Sequence, residues 1–295
     1  MIHGSGRNAR GYFRSMRRIA GAADQAGRPD HPSQADHTGQ PDQIDQTMVL
    51  APWFKTRHDN PGGTDAVWRN GSWKRGGGAR NPRGLSTFAV VDQILTMLGD
   101  RSRFPNLRRV TIAGHSAGGQ LTQRYAAFGT APNELPGLAV NYVVANPSSF
   151  LYFTNVRPSA DGRFVVPSLA GLCPDFDTYK YGMAGRSGYA AAMTPDEALR
   201  TYVSRDVTLL SGEDDIVDDG NVDTSCAALL QGPNRAARAV NYAAYIQAIA
   251  PGARHRLIVL SGIAHDRRAI FTSPLAWPAL FGTQRTEAET SLAAS

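Results

Sequence analysis

Cysteine is scarce in this 295-residue chain. It occurs twice, at Cys173 and Cys226, and that spacing fits no zinc or thiol-redox motif. The pair is either two buried thiols or one disulfide, and both readings stand at this point. Lysine is nearly as rare, with only Lys55, Lys74 and Lys180, so arginine carries almost all of the basic charge behind a formal net charge of +6. The arginines read as scattered rather than set on one helix face, which argues against a nucleic-acid surface. Long apolar runs are missing: nothing approaches the ~18 residues of a membrane span. A charged start followed by an apolar stretch and a small-residue cleavage site is also missing. As written, the chain therefore reads as cytoplasmic.

What is present suits a globular protein. The hydrophobic fraction is 42%, and the length allows a large core. Residues 24–47, "DQAGRPDHPSQADHTGQPDQIDQT", are polar and broken by Pro and Gly, so a disordered surface insertion is expected there. His31 and His37 within it read as solvated side chains rather than metal ligands. Met48-Val49-Leu50 reads as a short strand ending at "APWF", and a long Gly/Arg/Trp loop follows over 55–84. "LSTFAVVDQILTML" places Phe88, Val91, Ile94, Leu95 and Leu98 on one helical face. "RRVTIAG", "LAVNYVVAN", "DVTLLSG" and "HRLIVLSG" read as strands, "GGQLTQRYAAF" and 235–249 as helices, and 151–200 as irregular. Alternating strands and amphipathic helices predict an α/β domain over 1–295, with a mainly parallel sheet covered on both faces. Ligands bind such sheets at the carboxyl ends of their strands.

The strongest chemical signal lies at one of those ends. Gly114-His115-Ser116-Ala117-Gly118 is a GxSxG sequence between a predicted strand and a predicted helix. A turn that sharp needs small neighbours, and it lifts the serine hydroxyl above the sheet at a helix start. A hydroxyl is a weak nucleophile and needs a base, and the base needs an orienting carboxylate. His265 follows the last predicted strand and is the base of choice. His255 begins that strand, at the other end of the sheet. His115 sits inside the turn and is expected to point away from the nucleophile, and nothing orients His58. The acid belongs after the preceding strand, where Gly212 turns the chain. Asp215 is favoured there, with Asp214 as competitor; Glu213, Asp218 and Asp219 read as a solvated loop. The order Ser116, Asp215, His265 is that of one particular fold.

On these residues the chain resembles the α/β-hydrolases, and more narrowly bacterial serine hydrolases with an HGxxRN turn and a GHSAGGQ elbow. The resemblance runs from His3 to about Asp266. It implies that His3-Gly4-Ser5-Gly6 is the turn after the third strand of the sheet. The backbone N–H of Ser5 (or Gly6) and that of Ala117 would then hold an oxyanion. It also implies that 151–200 is a small cap that sets substrate choice. Trp53 and Phe54 are expected to line the pocket, with core aromatics as the other reading. Trp68, Trp73, Lys74 and Arg75 lie in a loop that either covers the site or is solvated. Arg7 and Asn8 are expected to brace the turn. The implied function is cleavage of a small-molecule carboxylic ester through an acyl-enzyme, without metal or organic cofactor. An amidase or peptidase with the same triad, and a non-catalytic hydrolase-like binding protein, are the alternatives. In such proteins about three strands precede the HG turn, whereas Met1-Ile2 alone precede it here. The expectation is a gene product that starts upstream, where a signal peptide would make the protein secreted.

Overall fold

The computed structural model describes residues 1–26, 47–168, 172–218 and 220–282. Helix α1 (Ala9–Ala26) comes first, then the two-residue strands β1 (Lys55–Thr56) and β2 (Val67–Trp68), then α2 (Thr87–Gly99). The main alternation follows: β3 (Arg109–His115), α3 (Ala117–Phe128) and β4 (Ala139–Ala145). A small hairpin, β5 (Arg157–Pro158) and β6 (Phe164–Val165), and α4 (Pro195–Ser204) lead to β7 (Asp206–Gly212). Next come α5 (Cys226–Leu229), α6 (Arg235–Ile249), β8 (Arg256–Leu260), α7 (Arg267–Thr272) and α8 (Trp277–Phe281). Four strands form a parallel sheet in the order β3-β4-β7-β8. The expected α/β architecture is therefore present.

The strands read as continuous apolar runs because both faces of the sheet are covered. In β4, Tyr142 and Val144 point into a core shared with α2, α3 and α6, while Val143 and Ala145 point into a second core with α1, α7 and α8. Helix starts are capped by side chains: Ser86 accepts from the Phe88 N–H for α2, and Asn234 from the Ala237 N–H for α6. Helix α1 had no counterpart in the sequence reading. Its buried Tyr12, Met16, Ile19, Ala20 and Ala23 recur at helical spacing, and Arg10, Arg14, Arg17 and Arg18 face solvent. It takes in residues 24–26 of the expected insertion; residues 27–46, with His31 and His37, lie outside the described residues.

One further expectation changes. Met48-Val49-Leu50 is not a strand, and the Leu50 carbonyl accepts from the Met1 ammonium at 2.6 Å. The HG turn, as expected, has no strand before it, only a single bridge. The Ile2 N–H donates to the Ala113 carbonyl at 2.7 Å, a parallel bridge on the outer edge of β3. Beyond Ile2, no described residue pairs with that edge, which faces an apolar groove of about 570 Å³ lined by Val91, Leu95 and Ile112. No helix among the described residues is long and apolar enough to cross a membrane.

The 151–200 segment is anchored by a buried cation. The Arg157 guanidinium donates to the carbonyls of Thr154, Val156, Phe176 and Tyr181 and lies 4.4 Å from the Tyr152 ring. Cys173 and Cys226 are joined in a disulfide across 53 residues, tying this segment to α5 beyond β7. A cross-link of that span stabilises by about 4 kcal/mol in the chain-entropy model. Cys226→Ser should lower the urea-unfolding free energy by about that amount. Reductant should lower the wild-type midpoint and leave the variant's unchanged; equal midpoints with and without reductant in the wild type would remove the bridge's role.

Candidate active site

The serine turn is built by glycines. A Cβ on Gly114 would lie 2.3 Å from the Gly118 carbonyl oxygen, and one on Gly118 only 2.4 Å from the Ile2 carbonyl oxygen. Gly119 is equally confined, at 2.7 Å from the Ala145 carbonyl oxygen. Ser116 sits at the turn with φ 58°, a conformation that strains any L side chain. Its N–H donates to the Ala145 carbonyl at 2.9 Å, and its carbonyl accepts from the Gln120 N–H at 3.1 Å. The hydroxyl makes no capping bond to α3, so it is not consumed by the helix.

His265 lines the same cleft as Ser116, about 450 Å³ in volume. Its Nδ1 lies 2.7 Å from Asp215 Oδ2, while the second carboxylate oxygen of Asp215 accepts from Arg235 Nη1 at 3.1 Å. Asp215 and Arg235 are each 1% exposed and His265 is 17% exposed. Asp214, Glu213 and Asp218 are exposed, and Asp219 lies outside the described residues. The turn that selects Asp215 is tight: a Cβ on Gly212 would meet the Ile263 carbonyl oxygen at 2.2 Å. Asn146 holds the two loops in register by accepting from the Gly212 N–H and donating to the Ala264 carbonyl.

The HG turn borders the cleft through Gly4, Ser5 and Gly6. His3 is fully buried under it, with Nδ1 3.0 Å from the Gly4 carbonyl and Nε2 3.1 Å from the Phe54 N–H. That pair of bonds requires the neutral tautomer with its proton on Nδ1. Burial agrees, pushing the His3 pKa down to about 4. Arg7 and Asn8 brace the turn as expected: Arg7 pairs with Asp59 at 2.6 Å and donates to the Ser5 carbonyl, and Asn8 Oδ1 accepts from the Gly11 N–H at the start of α1.

Other expectations need correction. Neither Trp53 nor Phe54 lines the cleft. Phe54 is 1% exposed and packs on His3, Trp68 and Trp73, so it supports the turn from below. Trp53 points outward, with Lys55 Nζ 4.5 Å from its ring. Trp68 and Trp73 are both core residues, not a cover. His115 does not turn away: it lines the cleft, and its ring centroid lies 4.5 Å from that of His265. Burial, then the His265, Arg235 and Arg267 charges, push its pKa well below the usual value. The sequence reading missed Arg235, Tyr12 and Asn146. No local motif marks Arg235, which reaches Asp215 from the first turn of α6.

No protein-family model and no curated protein sequence matches the chain. Among solved structures it is similar to LpqC, a poly(3-hydroxybutyrate) depolymerase from Bordetella parapertussis, with TM-score 0.60 and 24% identity over 99% of this chain and 82% of that one. It is also similar to poly(aspartic acid) hydrolase-1 from Sphingomonas sp. KT-1, with TM-score 0.61 and 21% identity over 95% and 86%. The fold is that of the α/β-hydrolases. At these identities the likeness shows the fold alone.

The buried His3 gives a pH test. The folded state sheds a proton that the unfolded chain keeps up to about pH 6.5. Its contribution is therefore complete above pH 6.5 and is lost as pH falls to about 4, where the folded residue titrates. The loss amounts to roughly 3 kcal/mol. Urea titrations at stepped pH should show His3→Gln with a shallower decline than wild type across this window, by up to about one proton. Parallel declines would show that His3 is not held neutral.

Proposed function

We propose that the protein is a serine hydrolase that cleaves a carboxylic ester through an acyl-enzyme. The observation that carries this is the placement of the strained Ser116 in one cleft with His265, whose far nitrogen is bonded to the buried Asp215. Ser116 Oγ attacks the carbonyl while His265 Nε2 takes its proton and passes it to the leaving alkoxide. Water then attacks the acyl-enzyme, giving its proton to His265 and its hydroxyl to the acyl carbon, and Ser116 recovers its proton. Asp215 fixes the imidazole tautomer with its proton on Nδ1 and stabilises the imidazolium. The N–H groups of Ser5 (or Gly6) and Ala117 receive the oxyanion, each worth ~3 kcal/mol of barrier. This chemistry needs no metal or organic cofactor.

The second reading is amide hydrolysis by the same groups. The likeness to a protein named poly(aspartic acid) hydrolase favours it, whereas the likeness to a polyester depolymerase favours the ester. The non-catalytic alternative leaves the strain at Ser116 and the shared cleft without a purpose.

Ser116→Ala and His265→Ala should each lower p-nitrophenyl ester turnover by several orders of magnitude. The double variant should be little worse than either, because the pair acts as a unit. Asp215→Asn should cost roughly 10⁴ in turnover, and Asp214→Asn only a few-fold. A fluorophosphonate should label Ser116 in the wild type. Near-normal turnover by Ser116→Ala, or no labelling, would refute the mechanism.

A further inference from the structure

Three arginines line the cleft, and they differ in what faces them. Arg7 is neutralised by Asp59. Arg267 and Arg268, next to His265 in sequence and in the cleft, have no carboxylate within ion-pair distance among the described residues. The Arg267 guanidinium lies 4.5 Å from the Tyr12 ring centroid, and its Nε is buried without a hydrogen-bond partner. Asp266 also borders the cleft, but its Oδ1 already accepts from the backbone N–H groups of Arg268 and Ala269.

A second group of arginines lies outside the cleft. Helix α1 starts just after the cleft-lining Asn8, turns Tyr12 into the cleft, packs on α7 and carries its arginines on the opposite, solvent face. Its exposed Arg10, Arg14, Arg17 and Arg18 fall within about 100° of arc and about 12 Å of helix length. None has a carboxylate partner among the described residues. Arg10/Arg14 and Arg14/Arg18 are like charges at i,i+4, which destabilises a helix. A face whose only task is solvation would mix charge signs and avoid that cost. Guanidinium groups engage carboxylates through paired N–H donors in a planar fork, and a row of them suits a row of anions.

We propose that the substrate is a chain bearing repeated carboxylates. Its scissile carbonyl sits at Ser116, the carboxylate next to it on Arg267 and Arg268, and further carboxylates along the arginines of α1. The assignment of Ser116 rests on the serine-hydrolase reading above; the arginine site does not. The substrate class holds for an ester or an amide linkage, since the arginines read the side groups and not the leaving atom.

The test compares kcat/KM for p-nitrophenyl hydrogen glutarate, which carries a carboxylate, with that for p-nitrophenyl valerate, a neutral ester of similar length. The wild type should favour the anionic ester at least about tenfold at low salt, and sodium chloride should erode the ratio by screening. Arg268→Gln should lower the ratio several-fold. Poly(aspartate) should inhibit more strongly than free aspartate, and Arg10→Gln/Arg14→Gln/Arg17→Gln should remove that advantage. A ratio at or below one, or a ratio indifferent to salt and to Arg268→Gln, would overturn the proposal. So would stronger inhibition by a single-stranded oligodeoxynucleotide than by poly(aspartate), which would move the arginines to nucleic acid. If neither ester is cleaved, the hydrolase reading fails, and calorimetry of poly(aspartate) with the Ser116→Ala protein still decides the site. Salt-sensitive binding that the triple α1 variant loses supports it, and no binding ends it.

Discussion

Four stretches of backbone meet at the first turn of α3 with no room for a side chain between them. Gly114, at the end of β3, lies under the Gly118 carbonyl; Gly118 lies under the carbonyls of Ile2 and His3; Gly119 lies under that of Ala145. This contact fixes the relation between the serine turn and the HG turn, so the two N–H groups proposed to hold an oxyanion are set by one packing constraint. The φ of 58° at Ser116 is a cost of ~1–3 kcal/mol that persists only where the surroundings over-determine it. Here they do, through the Ala145 carbonyl on one side and the Gln120 N–H on the other. A methyl group at any of the three glycines would have to move backbone, not a flexible side chain.

The second constraint is electrostatic. Asp215 is shut away from water and shares its two oxygens between Arg235 and His265. An intact buried pair of this kind adds little net stability, whereas losing one partner costs 3–5 kcal/mol because the other charge is left stranded. The arrangement therefore acts on position: Arg235 occupies one oxygen and leaves the other for a single histidine. Three imidazoles surround the serine turn, but they are not equivalent. His3 and His115 are buried, without a carboxylate within bonding distance, and burial holds both in the neutral form. Only His265 combines a carboxylate partner with partial exposure to the cleft.

Much of this was legible in the sequence, and the limits follow from which interactions are local. The strands at 109–115, 139–145 and 206–212 were readable because strands largely buried on both faces are continuous apolar runs, and that at 256–260 because its apolar run persists at the half-exposed edge of the sheet. The serine turn and the glycine before Asp215 were readable because small residues at fixed spacing report backbone crowding directly. Asp215 was preferred over Asp214 on turn geometry alone, and the structure brings Asp215 to His265 and leaves Asp214 in solvent. Arg235 and Asn146 were not readable, because each reaches its partner across the fold, 20 and 66 residues away. Trp53 and Phe54 were assigned to the pocket because they follow an apolar run. Phe54 instead fills the space beneath His3, since an aromatic ring there shields the buried imidazole, and adjacent residues on an extended chain point opposite ways.

The arginines show the same limit in its sharpest form. Along the chain they look scattered, and that scatter argues against a surface of one charge. Folding changes the geometry of the count. Helix α1 turns Arg10, Arg14, Arg17 and Arg18 to one side because Tyr12, Met16 and Ile19 must face the sheet. Helix α7 then packs beside it and adds Arg267 and Arg268 at the cleft. A periodic apolar requirement on one face thus sorts the cations onto the other, without any run of basic residues in the sequence. Asp59 is paired with Arg7, and Asp266, which accepts from backbone N–H groups of its own helix, offsets one of the two charges of Arg267 and Arg268, so the cleft keeps a net positive field. That field acts most strongly on the part of a ligand closest to Arg267 and Arg268, beside Ser116, and it weakens along α1 as solvent screening takes over. A carboxylate held beside the scissile carbonyl would therefore contribute most to orientation, and those further out to capture.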